Sequence, residues 1–491
     1  MITSRGVSKG HSSRGDELTN GRTDSRSGEG PQYAWQFDLP LEGSVSTCRP
    51  QHGSAESEQN SELQQQLLGA ILSETNLHAA YRRVRANGGA AGVDGVDLSR
   101  FKLWYRLRRK VLLRRLRLGN YQPSPVRRCY IPKSNGKKRP LGVPTLFDRI
   151  VQQAIHQVLS PRLEPHFSEH SYGFRRKRSC QQAVRVLHGH IKQGYRWSVD
   201  IDLQGFFDTV PQARALEALR QRLDGEGPVV QLIKRYLEAG YIELDHYHET
   251  VEGMPQGGPL SPLLSNLVLD ALDKELERRG HRFVRYADDF VIVVQSERAA
   301  ERVFASICEF VEGSLELKVN REKSAVRPVR ELSYLGFSFR QAKIVVSDEA
   351  MDEFNYRLKR LSRRGWGVSM PQRLYQLRQY TRGWMGYYGL SEVSSVWLVL
   401  DKWLRRRIRM CYWRQWKRAK RRFLNLVKLG TSRRNAGGFA KSSKGYWRLA
   451  QALGTHTGMT TDWLESEGLV NLKQLWWNAK FLRITALKQT A

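Results

Sequence analysis

Residues 283–294 read FVRYADDFVIVV, with two adjacent carboxylates, Asp288 and Asp289, set between apolar, β-branched halves. No other stretch restricts the fold so tightly. Two apolar runs of strand length flanking a short polar centre predict a β-hairpin with the acids at its tip. Neighbouring anions in an apolar setting repel each other and lose hydration, so the tip needs a cation or a catalytic task to offset that cost. Taken alone, the pair could equally be a solvated turn. A second acidic stretch, SVDIDLQGFFDTV at 198–210, puts Asp200 and Asp202 on one face of a strand, with Asp208 beyond a turn at Gly205. Between the two lies GMPQGGPLSPLLSNLVL, 253–269, where Gly and Pro fix a turn and Ser265 or Asn266 is placed to cap the helix that follows. An Asp at the hairpin tip facing an Asp on a neighbouring strand makes a hard-oxygen site for a divalent cation. Mg²⁺ keeps one or two carboxylates and completes its shell with water and phosphate, and two such ions suit an in-line phosphoryl displacement.

The charge of the 491-residue chain points to a polyanionic partner. Its net charge is +33, unevenly placed: residues 1–60 hold six Lys/Arg against eight Asp/Glu, and residues 351–450 hold 25 against four. Self-repulsion on that scale opposes a compact state unless a polyanion neutralises it, and nucleic acid is the expected one. An anionic membrane surface is the rival. Tryptophans at 384, 397, 403, 413, 416 and 447 are interleaved with the basic residues, which suits a folded basic domain better than a membrane-skimming tail. No apolar run approaches the roughly 18 residues of a membrane span, and no signal core opens the chain. The five cysteines form no CxxC pair, which argues for a reduced cytoplasmic protein without structural zinc.

Residues 1–60, rich in Ser, Gly, Arg and Gln, read as a disordered leader. Residues 61–125 read as a helical extension, broken by the Gly-rich NGGAAGVDG. Strand-like runs alternate with helical ones such as LFDRIVQQAIHQVL over 126–345, an α+β pattern. Beyond this the chain reads as helices, with Val396, Leu400, Trp403, Ile408 and Cys411 along one apolar stripe.

Seven motifs, taken in order, resemble the group II intron-encoded reverse transcriptase/maturases. They are IPKSNGKKRPLGVPTLFDRIVQQAI (131–155), SYGFRRKRSCQQAV (171–184), DLQGFFD (202–208), GMPQGGPLSPLLSN (253–266), RYADDF (285–290), LKVNREKS (317–324) and LSYLGFSF (332–339). The resemblance implies a right-hand polymerase fold with fingers and palm at 126–345. It further implies a thumb/maturase region at 346–425, supported by SMPQRLYQLRQYTRGWMGYYGL, and a DNA-binding region at 426–491. By the same resemblance Asp202, Asp288 and Asp289 are the catalytic metal ligands for two Mg²⁺ ions; because a β-like tip cannot aim two adjacent acids equally at one ion, Asp288 is expected as the principal ligand opposite Asp202 and Asp289 as a supporting one. Asp200 is the competitor of Asp202 should the register shift by two. Lys133 and Arg139 embrace the triphosphate of the incoming dNTP, Phe207 stands against its sugar 2′ position, Gln256 lines its pocket, and Lys323 lies near its phosphates. For Phe207 a plain core role is the alternative.

The implied function is an RNA-directed DNA polymerase that copies RNA into cDNA and assists splicing and mobility of its parent intron. Its partners would be that intron RNA, an RNA template with DNA primer, target DNA and dNTPs, in the cytoplasm and at the nucleoid. Many members of the family end in a nuclease domain with paired cysteines and a His-Asn-His arrangement. This sequence shows neither, so second-strand cleavage is not expected of it. A maturase without polymerase chemistry and a domesticated reverse transcriptase in DNA repair or phage defence are the other readings; the complete acidic set speaks against the first.

Overall fold

The computed structural model describes residues 55–132, 136 and 138–489; the segment expected as a disordered leader falls almost wholly outside them, as does Lys133. The described part is one compact unit. Its first helix, Ala55–Ile71, begins within the last residues of that expected leader. Helices Glu74–Asn87 and Leu98–Arg117 follow, separated by the Gly-rich break and capped by Ser73 and Asp97, whose side chains accept from amides of the first turn.

Among the described residues eleven strands build three sheets. β1 (Val126–Pro132), β2 (Lys138–Val143), β4 (Tyr241–Glu243) and β5 (His246–His248) form a four-stranded sheet in the order β2-β1-β4-β5. β3 (Trp197–Ile201), β6 (Arg282–Tyr286), β7 (Asp289–Val294) and β8 (Ala325–Pro328) form a second, wholly antiparallel sheet in the order β6-β7-β3-β8. β9 (Ser333–Tyr334), β10 (Phe337–Arg340) and β11 (Lys343–Val346) make a small third sheet.

The β6–β7 hairpin closes through a two-residue turn, since Tyr286 pairs with Asp289. Its first turn residue, Ala287, has φ +61°, a conformation that glycine ordinarily fills in such hairpins. The second sheet packs the helices Leu146–Leu163 and Ser261–Arg278 into one hydrophobic core that also takes in Leu67, Ile71 and Phe101 of the N-terminal helices. A separate core runs from Val346 to Trp476, through both the segment expected as thumb and the one expected as DNA-binding.

Two sequence expectations are corrected here. The helix after the GMPQGGPLSP loop begins at Ser261, with Pro262 in its first turn. A proline there has no amide to leave unsatisfied and its fixed φ suits a helix start. Ser265 and Asn266 therefore lie inside the helix and cap nothing. The apolar stripe of helix Ser395–Gln415 is also rotated: Val396 is 37 % exposed, while Trp397 and Leu404 take the buried seats beside Ile408 and Cys411.

Candidate active site

The sheet β6-β7-β3-β8 assembles the acids. β3 pairs antiparallel with β7, with Asp200 opposite Val291 and Ile201 opposite Phe290. One further step along that register brings position 202 across from Asp289, while Asp288 sits in the turn. The alternation that put Asp200 and Asp202 on one face puts Asp289 on the same face. The strand position across from 202 is thus Asp289, where sequence reasoning had set Asp288.

Electrostatics follow from that crowding. Burial, and then repulsion from Asp200, Asp288 and Asp202, pushes the Asp289 carboxyl up to about 7. Burial likewise raises Asp200 to about 6, against the pull of Arg327, whose guanidinium lies 3.4 Å away. Asp202 is held on its other side by the LKVNREKS segment. Its Oδ2 accepts from Asn320 Nδ2 at 3.0 Å and Lys323 Nζ at 3.2 Å, and its amide donates to Ser324 Oγ at 3.0 Å. Asn320 and Ser324 escaped the sequence reading, although they flank the lysine it selected. Asp208 is exposed on the short helix Phe206–Thr209 that follows Gly205.

The turn is fastened from below. Arg285, wholly buried, donates through Nε and Nη2 to the two oxygens of Asp273 at 2.7 and 2.5 Å, and through Nη1 to Asn266 Oδ1 at 3.0 Å and to the carbonyl of Ala287 at 2.8 Å. Asn266 in turn donates to the carbonyl of Gly173 at 2.9 Å. The SYGF segment lies along the hairpin: Tyr172 donates to Arg285 O, and the Arg285 amide to His170 O. A Cβ on Gly173 would stand 2.1 Å from the Ala287 amide nitrogen. Gly173→Ala is therefore expected to displace the turn and to lower the rate of any reaction carried by its acids by roughly 10²-fold, the scale of a small misplacement at a reacting centre. A variant with an undisturbed rate would separate this contact from the chemistry.

A second group of predicted residues meets at the β1–β2 hairpin. Arg139 on β2 donates from Nε to Gln256 Oε1 at 2.9 Å, and the Gly142 amide donates to Gln256 O at 2.6 Å. The loop can press so close because Gly257, at φ +120°, has no Cβ to meet Gly142 O. Gln256, Gly142 and Phe207 line a cavity of about 530 Å³. Phe207 is 7 % exposed and packs edge-on against Phe206 with ring centroids 5.3 Å apart, so it is at once a core ring and a wall of that cavity.

Divalent-metal fit rests on the donors present. Among the described residues Asp288 and Asp289 have no hydrogen-bonding or cationic side-chain partner, and every charge acting on Asp289 is negative. Hard, uncompensated oxygens of this kind suit a divalent cation. No three carboxylate, His or Cys side chains among the described residues already form a closed metal cluster, so water and phosphate would supply the remaining ligands.

An antiparallel sheet carrying acids at a hairpin turn and at the neighbouring strand end, beneath a finger-like β-hairpin and beside a helical appendage, defines a right-hand nucleic-acid polymerase. Residues 131–339 match the family described as reverse transcriptase (RNA-dependent DNA polymerase), and residues 351–430 the group II intron maturase-specific domain. Over 315 residues the chain is 34% identical to protein YkfC of Escherichia coli, covering 56% of this chain and 81% of that one. Over 338 residues it is 30% identical to the group II intron-encoded protein LtrA of Lactococcus lactis, covering 54% of this chain and 55% of LtrA, so the match spans about half of that relative's length. The chain belongs to the group II intron-encoded reverse transcriptase/maturase family. No helix among the described residues is long and apolar enough to cross a membrane.

Proposed function

We propose that the chain is an RNA-directed DNA polymerase that copies RNA into cDNA from a DNA primer and assists splicing and mobility of its parent group II intron. The observation that carries it is the convergence of Asp202 and Asp289 from adjacent strands, with Asp288 next to Asp289 in a pinned turn. Asp202, Asp288 and Asp289 would hold divalent cations, two Mg²⁺ in the finer reading. Bound there, the metal would make the primer 3′-hydroxyl a better nucleophile and offset charge on the departing pyrophosphate.

The chain's own groups bind and orient the reactants. The 3′-hydroxyl oxygen forms the new bond to the α-phosphorus of the dNTP while the bond to pyrophosphate breaks, and catalysis by the protein is mostly positioning and electrostatics. Lys323, now paired with Asp202, can turn its ammonium to phosphate oxygens. Arg139 offers a planar fork to the triphosphate, with Gln256 holding it, and Lys133, which lies outside the described residues, would add a second cation to the same phosphates.

Phe207 in the cavity wall would exclude a ribose 2′-hydroxyl. Phe207→Val is expected to raise ribonucleotide relative to deoxyribonucleotide incorporation by about 10–100-fold, the range a changed apolar pocket can deliver. Unchanged discrimination would leave Phe207 a core ring alone.

The partners follow from the fold and charge: structured intron RNA recognised through shape, phosphates and 2′-hydroxyls, an RNA template with its primer, target DNA, and dNTPs. Purified protein given an annealed DNA primer on an RNA template, dNTPs and Mg²⁺ at low salt should extend the primer. Failure to do so overturns the polymerase reading. Ribozyme domains flanking the reading frame would favour the intron role over a domesticated one.

A further inference from the structure

Helix Leu98–Arg117 has two apolar faces, and the fold covers one of them. Phe101 and Leu116 are buried in the core, and Phe101, Trp104 and Tyr105 stack into a row of rings that meets Phe147 of helix Leu146–Leu163. On the face turned away from that row, Leu103, Leu107 and Val111 are 61 %, 69 % and 55 % exposed. Single exposed apolar residues are ordinary on a protein surface. These three recur at every fourth residue, so they stand one above another as a continuous ridge. Leu118, also exposed, prolongs the ridge just past the helix end.

The surroundings of the ridge are cationic. The helix carries nine Lys/Arg and no Asp/Glu. Arg106, Lys110 and Arg114 lie along the ridge and are exposed, and among the described residues no carboxylate comes within ion-pairing distance of them. The ion pair that the helix does make, Arg109 with Glu74 at 3.5 Å, lies on another face.

Few surfaces satisfy both the ridge and its cations. Phosphates of a nucleic acid pair with the arginines but leave the leucines in water. A lipid surface takes an apolar face broad enough to sink below the headgroups; here the broad face, with its three rings, is packed inside the protein, and the outer one offers about one apolar residue per turn. A second copy of the same helix would bring like charges together. An amphipathic helix with Leu or Ile at i, i+3 and i+4 and carboxylates along that stripe meets both demands. The ridge enters the groove between the partner's side-chain rows, and opposite charges fix the register and speed encounter.

We propose that the outer face of helix Leu98–Arg117 is a docking ridge for an acidic amphipathic helix of a partner protein. The ridge shares no residue with the acidic turn or the dNTP contacts, so it stands apart from the polymerase reading. The test uses the full chain and a fluorescein-labelled synthetic peptide of about 20 residues, the length of the helix it faces, with leucines on one stripe and glutamates along both its edges. Fluorescence anisotropy reads Kd. Leu103→Gln/Leu107→Gln/Val111→Gln should weaken binding by about 10²-fold or more, since burial of even one such side chain is worth about tenfold. All three residues are exposed and glutamine is a good helix former, so thermal melting should not change. Arg106→Gln/Lys110→Gln/Arg114→Gln should weaken binding by about 10-fold and flatten its dependence on KCl. A peptide of the same composition with its leucines scattered around the helix should bind the wild type no better than it binds the Leu/Val variant. Equal affinity of the stripe peptide for the wild type and the Leu/Val variant overturns the proposal. So does a loss of the same size when that variant is given a fluorescein-labelled RNA hairpin or phosphatidylglycerol vesicles, which would make the ridge part of a nucleic-acid or lipid surface. A wild type that light scattering shows to be a dimer, with the Leu/Val variant a monomer, would make a second copy the occupant and overturn it too.

Discussion

Asp289→Asn is expected to abolish primer extension and, in the metal-free protein at pH 8, to make the fold more stable. The two effects share one cause. The Asp289 carboxyl is half-buried and crowded by Asp200, Asp288 and Asp202, and the lost hydration and repulsion together lift it from an ordinary 3.8 to about 7. Because the folded state binds that proton more tightly than the unfolded chain does, stability falls as pH rises from about 4 to about 7, and the full penalty is present above that window. An isosteric amide carries no charge to penalise. Removing the penalty should raise unfolding free energy at pH 8 by about 2–4 kcal/mol, and the gain should shrink towards pH 4 and vanish near pH 3, roughly a unit below the ordinary value, where the wild-type acid is protonated in both states. Extension should drop by about 10³-fold, near 4 kcal/mol of barrier. Adding Mg²⁺ should stabilise the wild type more than the variant, by mass action on the folded state alone. A variant no more stable than wild type at pH 8, or one that extends primers normally, would contradict this account of the acidic cluster.

The acids were legible in the sequence because strand alternation is local: two apolar halves around Asp288 and Asp289, and Asp200 with Asp202 two residues apart, need no partner to be read. Which acid faces which was not legible, because it depends on the register between β3 and β7, set by strands some 90 residues apart in the chain. Lys323 of LKVNREKS came from the resemblance to the family rather than from its local pattern. Asn320 and Ser324 were missed because their value lies in bonds to Asp202 that only the folded chain makes. Asn266 was read as a cap from its place after a Gly/Pro loop, but Pro262 had already started the helix, freeing the amide to bridge Gly173 and Arg285. The sequence reading gave no role to Arg285 or to Asp273 on helix Ser261–Arg278, because their pairing exists only in the folded chain. The rotated face of helix Ser395–Gln415 has the same origin: a chain with Val396 and Trp397 side by side offers two apolar stripes, and the neighbouring core chose the one with the larger ring.

Arg285→Met should cost the protein more than any surface arginine. Arg285 and Asp273 are both fully buried, so removing the cation strands a carboxylate in the core, a loss of about 3–5 kcal/mol. By contrast an exposed pair such as Arg214 with Glu316 belongs to a class worth about 0–1 kcal/mol. Taking out both partners together, Arg285→Met with Asp273→Leu, leaves no orphan charge, and an apolar replacement of a buried pair is often neutral. The double variant should therefore recover most of the urea midpoint lost by the single one. Catalysis should not recover with it. The guanidinium also donates to the Ala287 carbonyl and to Asn266 Oδ1, and Ala287 holds a positive φ that costs a non-glycine residue about 1–2 kcal/mol. Without that anchor the turn can relax toward an ordinary conformation and carry Asp288 and Asp289 off their aim at Asp202. Stability near wild type combined with primer extension at least about 10²-fold down would mark Arg285 as a positioning residue for the turn. A double variant that recovers both would reduce the buried pair to packing.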